Sequence, residues 1–315
     1  MADGARRVEV EPVIEVADLH MRYGRHEAVR GIDLTVHHGE IFAFLGPNGA
    51  GKTTTVEILE GFRKRTGGSV RVLGQDPQDA GATWRNRIGV VLQESEPERD
   101  LTALECLRLY AGYYSEPRDP RETLELVGLA DRADAITSKL SGGQRRRLDV
   151  ALALIGDPEL VFLDEPTTGF DPSARRAAWD MVSGLRDLGV TVFLTTHYMD
   201  EAEHLADRVA VIAEGRILTE GTPATIAGRD RAPVEIRFSA PSASALGRLP
   251  EVVVKAVVEE SGEHVFLRAE SPLIVLAPLV AWAQAEGLDL ADLDVRRPSL
   301  EDVYLALTAP TGAKA

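Results

Sequence analysis

The chain is nearly without cysteine: among 315 residues only Cys106 carries a thiol. A lone cysteine excludes an intramolecular disulfide and any cysteine-rich metal site, and a reducing compartment fits. Cys106 lies in the apolar-periodic stretch Leu101, Leu104, Leu107, Leu109 and reads as a small packing residue. Long hydrophobic runs are missing too. The most apolar long segment, Leu273 to Ala283, contains Pro278 and falls short of the roughly 20 apolar residues that a membrane-crossing helix needs. Basic residues are outnumbered, 35 Lys and Arg against 50 Asp and Glu, for a net charge of −15. That balance argues against broad nucleic-acid binding and against a polybasic membrane anchor. Met1 to Glu11 is polar and charged, so no signal peptide is expected. There is no repeat or low-complexity tract, and the length allows roughly two domains with a large buried core.

What is present is concentrated in a few strings. The apolar run Ile41-Phe42-Ala43-Phe44-Leu45 leads into Gly46-Pro47-Asn48-Gly49-Ala50-Gly51-Lys52-Thr53, and a helix-compatible stretch, Thr53 to Glu60, follows. Strand, glycine-rich loop and helix in that order make a phosphate-binding loop. Gly46, Gly49 and Gly51 let backbone N–H groups converge on an anion, and the helix start adds its partial positive charge. Lys52 supplies a point charge for the β- and γ-phosphates, the Thr53 hydroxyl suits Mg²⁺, and Thr54 can bond a phosphate oxygen.

Leu160-Val161-Phe162-Leu163-Asp164-Glu165 reads as a buried parallel strand ending in two carboxylates. Asp164 would hold the Mg²⁺ shell and Glu165 would polarise an attacking water. Ser141, Gly142 and Gly143, followed by Gln144, open a second helix start with anion-binding capacity; a purely structural cap is the alternative. The run Arg145 to Arg147 reads mostly as a solvated helix face, because consecutive residues point in different directions around a helix.

With Leu140-Ser141-Gly142-Gly143-Gln144, the phosphate loop, Asp164-Glu165, Gly169-Phe170-Asp171-Pro172 and His197 in this order and approximate spacing, the chain resembles the ATP-binding subunit of an ABC transporter. The resemblance covers about residues 12 to 228 and implies an α/β P-loop NTPase core of ABC ATPase type. An antiparallel β subdomain would begin at Val13 to Val36, and a helical subdomain would occupy about residues 94–157. It implies that Gln93 touches Mg²⁺ and the water, and that His197 contacts the γ-phosphate. Tyr23 would stack on adenine, with a solvent-facing hairpin tyrosine as the alternative. Asp171 would cross a dimer interface, with Phe170 standing where leucine is commonest. In this family two copies pack head to tail, and the Ser141 string covers the γ-phosphate held by the partner's loop. The implied cofactors are ATP and Mg²⁺. The implied partners are a second copy and a separately encoded transmembrane subunit, with no nucleic acid expected, at the cytoplasmic face of the cell membrane.

Residues 229–315 differ in character. Val234 to Phe238 alternates, Val252-Val253-Val254 and His264 to Leu267 suggest further strands, and 273–286 reads as a helix. Ser299-Leu300-Glu301-Asp302 resembles a capping box opening a last helix. The result is a small α+β accessory domain. Its ending, Arg297 to Tyr304, is similar to the tail of daunorubicin-resistance-type drug-export ATPases, which implies export of drug-like or other hydrophobic compounds. Dimer contacts, regulation and a passive stability cap are all compatible with this appendage. The rival classes are a soluble ABC ATPase acting as a mechanical switch on ribosome or nucleic acid, and a binding-only regulatory subunit.

Overall fold

The computed structural model describes residues 12–92, 97–239, 248–261, 264–290 and 292–308. The chain forms two compact units that part between Pro223 and Ala224. The boundary expected after Gly228 falls inside the short 3-10 segment Ile226–Arg231.

The first unit begins with β1 (Pro12–Tyr23), β2 (His26–His37), β3 (Ile41–Leu45), α1 (Lys52–Leu59), β4 (Gly67–Val72), α2 (Ala82–Arg85) and β5 (Ile88–Val91). Three helices follow, α3 (Ala103–Ala111), α4 (Pro120–Leu126) and α5 (Gly142–Leu154). It ends with β6 (Leu160–Asp164), α6 (Pro172–Asp187), β7 (Thr191–Thr196), α7 (Met199–Leu205), β8 (Arg208–Ala213) and β9 (Arg216–Gly221).

Two sheets result. The antiparallel sheet has the order β2-β1-β4, and the larger one runs β5-β6-β7-β3-β8-β9. In the larger sheet only β9 runs antiparallel to its neighbour. Its central strands are buried almost along their length, as both faces are covered, so apolar residues run without alternation on β3 and most of β6, joined by buried threonines on β7. Phe193 on β7 gathers Phe42, Phe44 and Phe162 at centroid distances of 5.6, 5.7 and 5.7 Å. Burying each ring is worth about 2–3 kcal/mol, and the cluster clamps β3, β6 and β7 into one layer.

The helices α3, α4 and α5 start on identifiable caps. Thr102 and Glu105 form a reciprocal capping box on α3, Asp119 accepts from Arg121 and Glu122 N–H at the start of α4, and Ser141 and Gln144 form a second box on α5. Cys106 is fully buried, and burial pushes its thiol up to about 12, so it packs and does not react.

One expectation on α5 is corrected. Arg146 is buried, where a solvated arginine run was expected, because its position on the helix faces β5 and the end of β6.

The second unit contains β10 (Val234–Ser239), α8 (Glu251–Val254), β11 (Val257–Ser261), β12 (His264–Ala269), α9 (Pro272–Glu286), β13 (Asp294–Arg296) and α10 (Leu300–Thr308). Its antiparallel sheet has the order β11-β12-β10-β13, with a core that includes Ile236, Phe238, Leu267, Leu279 and Trp282. Val252 to Val254, expected as a strand, form one helical turn. Pro250 supplies the carbonyl that Val253 and Val254 N–H bond at 2.8 and 3.0 Å, so local turn chemistry overrides β-branched propensity. The last helix starts as expected: Ser299 Oγ accepts from Asp302 N at 3.1 Å and Asp302 Oδ2 accepts from Ser299 N at 2.7 Å.

Candidate functional site

Sheet register assembles the site. Leu45 lies opposite Thr196, and Thr195 lies opposite Asp164, across the parallel pairs of β3, β7 and β6. The chain therefore leaves three adjacent strands at Gly46, Glu165 and His197 on one edge, the carboxyl edge where parallel sheets place ligands.

Close backbone approach explains two glycines of the loop, and a left-handed φ of 80 explains Gly49. A Cβ on Gly46 would sit 2.3 Å from the Ile212 carbonyl oxygen, and one on Gly51, at φ 105, would sit 2.6 Å from that of Ala28. Gly51 caps α1 without any side-chain hydrogen bond, and the first turn carries no acidic residue. The first amides of α1 are thereby left to an anion. Lys52 is 5% exposed and its Nζ donates to Gly46 O at 2.8 Å and Pro47 O at 3.2 Å. Burial pulls its pKa down, opposed by the negative charges of Glu165 and Asp164. A cleft of about 430 Å³ opens here, lined by Tyr23, Asn48, Gly49, Lys52, Thr53 and Thr54 among others.

Glu165 faces this cleft. Its Oε1 lies 3.7 Å from Lys52 Nζ and 3.2 Å from His197 Nδ1, the latter off the line of a hydrogen bond, while Thr168 Oγ1 donates to Oε2 at 3.1 Å. Its backbone is left-handed, at φ 46, a conformation that costs a non-glycine residue about 1 kcal/mol. Thr195 holds it there: Glu165 N–H reaches Thr195 O at 3.2 Å and Thr195 Oγ1 at 3.1 Å. The same threonine hydroxyl donates to Asp164 Oδ1, so one side chain orients both carboxylate residues.

Tyr23 stands at the cleft wall, its hydroxyl 3.4 Å from Thr54 Oγ1 and its ring 5.1 Å from the Arg63 guanidinium carbon. A ring at the wall of a cleft has the shape to stack on a flat base, the role expected of Tyr23. Tyr23→Ala is expected to weaken adenine-nucleotide binding about tenfold, corresponding to roughly 1.4 kcal/mol of stacking, with Tyr23→Phe close to wild type. Equilibrium titration with a fluorescent ATP analogue measures both.

Other residues singled out in the sequence stand apart from the cleft's lining. Asp171 caps α6, accepting from Ser173 N at 2.8 Å and Ala174 N at 2.9 Å. Ser141 and Gln144 are engaged with each other, which leaves the amides of Gly142 and Gly143 at the start of α5. Gly142 has no need of glycine within this chain: its φ is ordinary and, among the described residues, a Cβ there would meet nothing within 4 Å. Gln93 lies outside the described residues.

Sequence reasoning missed Thr168, Thr195, Arg175 and Tyr198. Tyr198 is wedged beside His197, with ring centroids 4.0 Å apart and the Arg175 guanidinium carbon 4.4 Å from its own centroid. The aromatic following His197 was the only signal for that contact.

Glu60, the C-cap of α1, is a buried carboxyl pushed up to about 8 by burial first, then by the charges of Asp164 and Glu57. Its folded pKa exceeds its unfolded one, so the folded state keeps a proton that the unfolded state loses. Stability from this group is complete below about pH 4.5 and is lost as pH rises toward about 8. Glu60→Gln is therefore expected to unfold several degrees higher than wild type at pH 8, reflecting about 1–3 kcal/mol, with a smaller difference at pH 5. Thermal melts at the two pH values check it.

Comparison with known proteins points the same way. Residues 29–168 match the ABC transporter family, and residues 234–299 match the C-terminal domain of ABC transporter domain-containing protein-like chains. Daunorubicin resistance ATP-binding protein DrrA3 of Streptomyces coeruleorubidus is 37% identical over 306 residues, spanning 95% of this chain and 96% of that protein. Nod factor export ATP-binding protein I of Ralstonia nicotianae is 37% identical over 303 residues, spanning 94% of each. The solved structure of cbiO1 from Clostridium perfringens, part of the ABC transporter complex cbiONQ, has a TM-score of 0.63 at 28% identity, covering 68% of this chain and 90% of that one. A dimeric post-hydrolysis state of an ATP-binding cassette bound to ADP and Pi has a TM-score of 0.59 at 26% identity, covering 66% of this chain and 98% of that one. With its phosphate loop, paired carboxylates and histidine on adjacent strand ends, and with relatives matched along nearly its whole length, the chain belongs to the ABC transporter family as an ATP-binding, ATP-hydrolysing subunit.

Proposed function

We propose that this chain powers an exporter: two copies close on ATP beneath a separately encoded membrane-spanning subunit and drive it between access states. The observation that carries hydrolysis is Glu165, whose carboxylate faces Lys52 and His197 at once. In this reading the Gly46 to Thr54 loop holds the triphosphate and Tyr23 holds the adenine. Glu165 takes the proton from a water as that water attacks the γ-phosphorus, and the bond to the β–γ bridging oxygen breaks, leaving ADP and phosphate. Lys52 stabilises the charge that develops on the phosphate oxygens, and His197 orients the γ-phosphate beside Glu165.

The donor set suits Mg²⁺, since the Thr53 hydroxyl and the Asp164 carboxylate are hard oxygens. When bound, Mg²⁺ would neutralise charge on the β- and γ-phosphates. Thr53 and Asp164 are the residues proposed to hold it, with Gln93 as a third.

Dimer closure rests on the start of α5. Among the described residues nothing requires Gly142 to be glycine, and exposed helix-start amides flanked by Ser141 suit a triphosphate brought by a partner. Asp171, at the head of α6, is proposed to meet the partner's phosphate loop. We assign residues 12–228 to the ATPase domain, with its helical subdomain at about 94–157, and residues 229–315 to the accessory domain.

Export of hydrophobic, drug-like compounds is supported by the names of the relatives, which concern daunorubicin resistance and Nod factor export. Among the described residues no helix is long and apolar enough to cross a membrane, in keeping with a peripheral subunit at the cytoplasmic face of the cell membrane. Affinity purification of Glu165→Gln from gently solubilised native membranes with Mg-ATP tests the reading. A stoichiometric multi-span membrane protein is expected. Recovery with ribosomes or nucleic acid, and no membrane partner, would replace it with the mechanical-switch class.

A further inference from the structure

Arg146 is a buried cation whose three nitrogens each donate to a different main-chain carbonyl. Nη2 reaches Asp164 O at 2.8 Å, Nε reaches Pro166 O at 3.3 Å, and Nη1 reaches Leu92 O. Those carbonyls are not scattered. Asp164 and Pro166 flank Glu165 on either side, and Leu92 is the residue before Gln93. The guanidinium itself rides on α5, five residues after Ser141. Only 8% of Arg146 is exposed. Burial draws its pKa down, opposed by the charges of Asp149, Asp164 and Glu201.

A charge held in this way is expensive to bury, and carbonyl dipoles offset the cost only while all three stay in place. The arrangement therefore resists relative movement of the three backbones that it joins. The planar fork matters: a lysine ammonium at the same position is a point charge that cannot reach three carbonyls lying in different directions.

We infer that Arg146 is a positioning residue that fixes the backbone on both sides of Glu165 to the helix opened by Ser141, so that hydrolysis in one copy is mechanically tied to the helix start that the copy offers its partner. The first half rests on the contacts above. The second half rests on the proposed ATP-closed dimer.

The test uses the full chain purified as wild type, Arg146→Lys and Arg146→Met. Lysine keeps the charge and methionine keeps the buried stem, so a folding defect in one leaves the other to be read. Three quantities are measured: kcat for phosphate release, Kd for a fluorescent ATP analogue, and the thermal midpoint. The expected result is a kcat lowered at least tenfold with Kd within twofold of wild type in whichever variant melts within a few degrees of it. A kcat within twofold of wild type overturns the inference. So does a parallel fall of kcat, affinity and thermal midpoint, which marks a purely structural arginine.

The link to the partner is read in the Glu165→Gln background by the ATP concentration needed for dimerisation. Adding Arg146→Lys is expected to raise it at least fivefold, and an unchanged requirement overturns the link. If Glu165→Gln alone stays monomeric with ATP, the dimer reading fails, while the kcat test of the first half stands on its own.

Discussion

Glu165→Gln is expected to release phosphate at least ~100-fold more slowly than wild type while binding ATP as tightly, in line with the loss of a positioned general base. The substitution is nearly isosteric, and an amide oxygen can still accept from Thr168 Oγ1, which lies 3.1 Å from the native carboxylate. What disappears is the negative charge between Lys52 and His197, and with it the group able to take a proton from water. Folding should be untouched, because the left-handed backbone of Glu165 is held by Thr195 through main-chain contacts that glutamine retains. Glu165→Gly sharpens the point. Glycine adopts φ 46 without strain, so this variant should melt no lower than wild type and yet be equally inactive. Steady-state phosphate release and ATP titration, run side by side, decide between lost chemistry and lost binding. Unchanged hydrolysis in Glu165→Gln would remove the assignment.

Lys52→Ala should act on the other parameter. The ammonium is buried and braces its own loop through the Gly46 and Pro47 carbonyls, at 2.8 and 3.2 Å. Removing it takes away the proposed charge-assisted donor to the phosphates, worth about 2–3 kcal/mol, and also the brace that shapes the loop. Nucleotide affinity is expected to fall by roughly 30- to 150-fold. The variant also takes away the Lys52 ammonium that opposes the Glu165 and Asp164 carboxylates, so hydrolysis should fall further than binding does. Lys52→Arg is no rescue, since a planar guanidinium does not fit a site with 5% exposure shaped around a lysine. Calorimetric titration with ATP and with ADP separates the two effects, because a lysine serving mainly the terminal phosphates should cost ATP more than ADP. Equal affinity of wild type and Lys52→Ala would contradict the phosphate-binding role proposed for Lys52.

The parts of this site legible in the sequence are those whose geometry is carried by short local patterns. A glycine-rich loop after an apolar strand has few other uses, and the alignment of Gly46, Glu165 and His197 follows once each is placed at the end of a buried parallel strand. The illegible parts depend on contacts between segments far apart in the chain. Thr195 is 31 residues from Asp164 and 30 from Glu165, and no local pattern marks its hydroxyl as the group orienting both. Arg146 was hidden by its neighbours. Three consecutive arginines on a helix suggest solvent, and only the packing of α5 against the ends of β5 and β6 shows that the middle one turns inward. Val252 to Val254 mislead in the opposite direction, since β-branched residues favour strands until Pro250 imposes a turn.

Whether ATP joins two copies through the start of α5 is decided by the molar mass of Glu165→Gln with and without Mg-ATP. The mass of a single 34.1 kDa chain is expected without nucleotide, and twice that mass with it. Adding Ser141→Arg is expected to return the single-chain mass, with ATP binding retained at the chain's own loop. A single-chain mass under all conditions, or a dimer indifferent to Ser141→Arg, would rule out joining of two copies at that helix start.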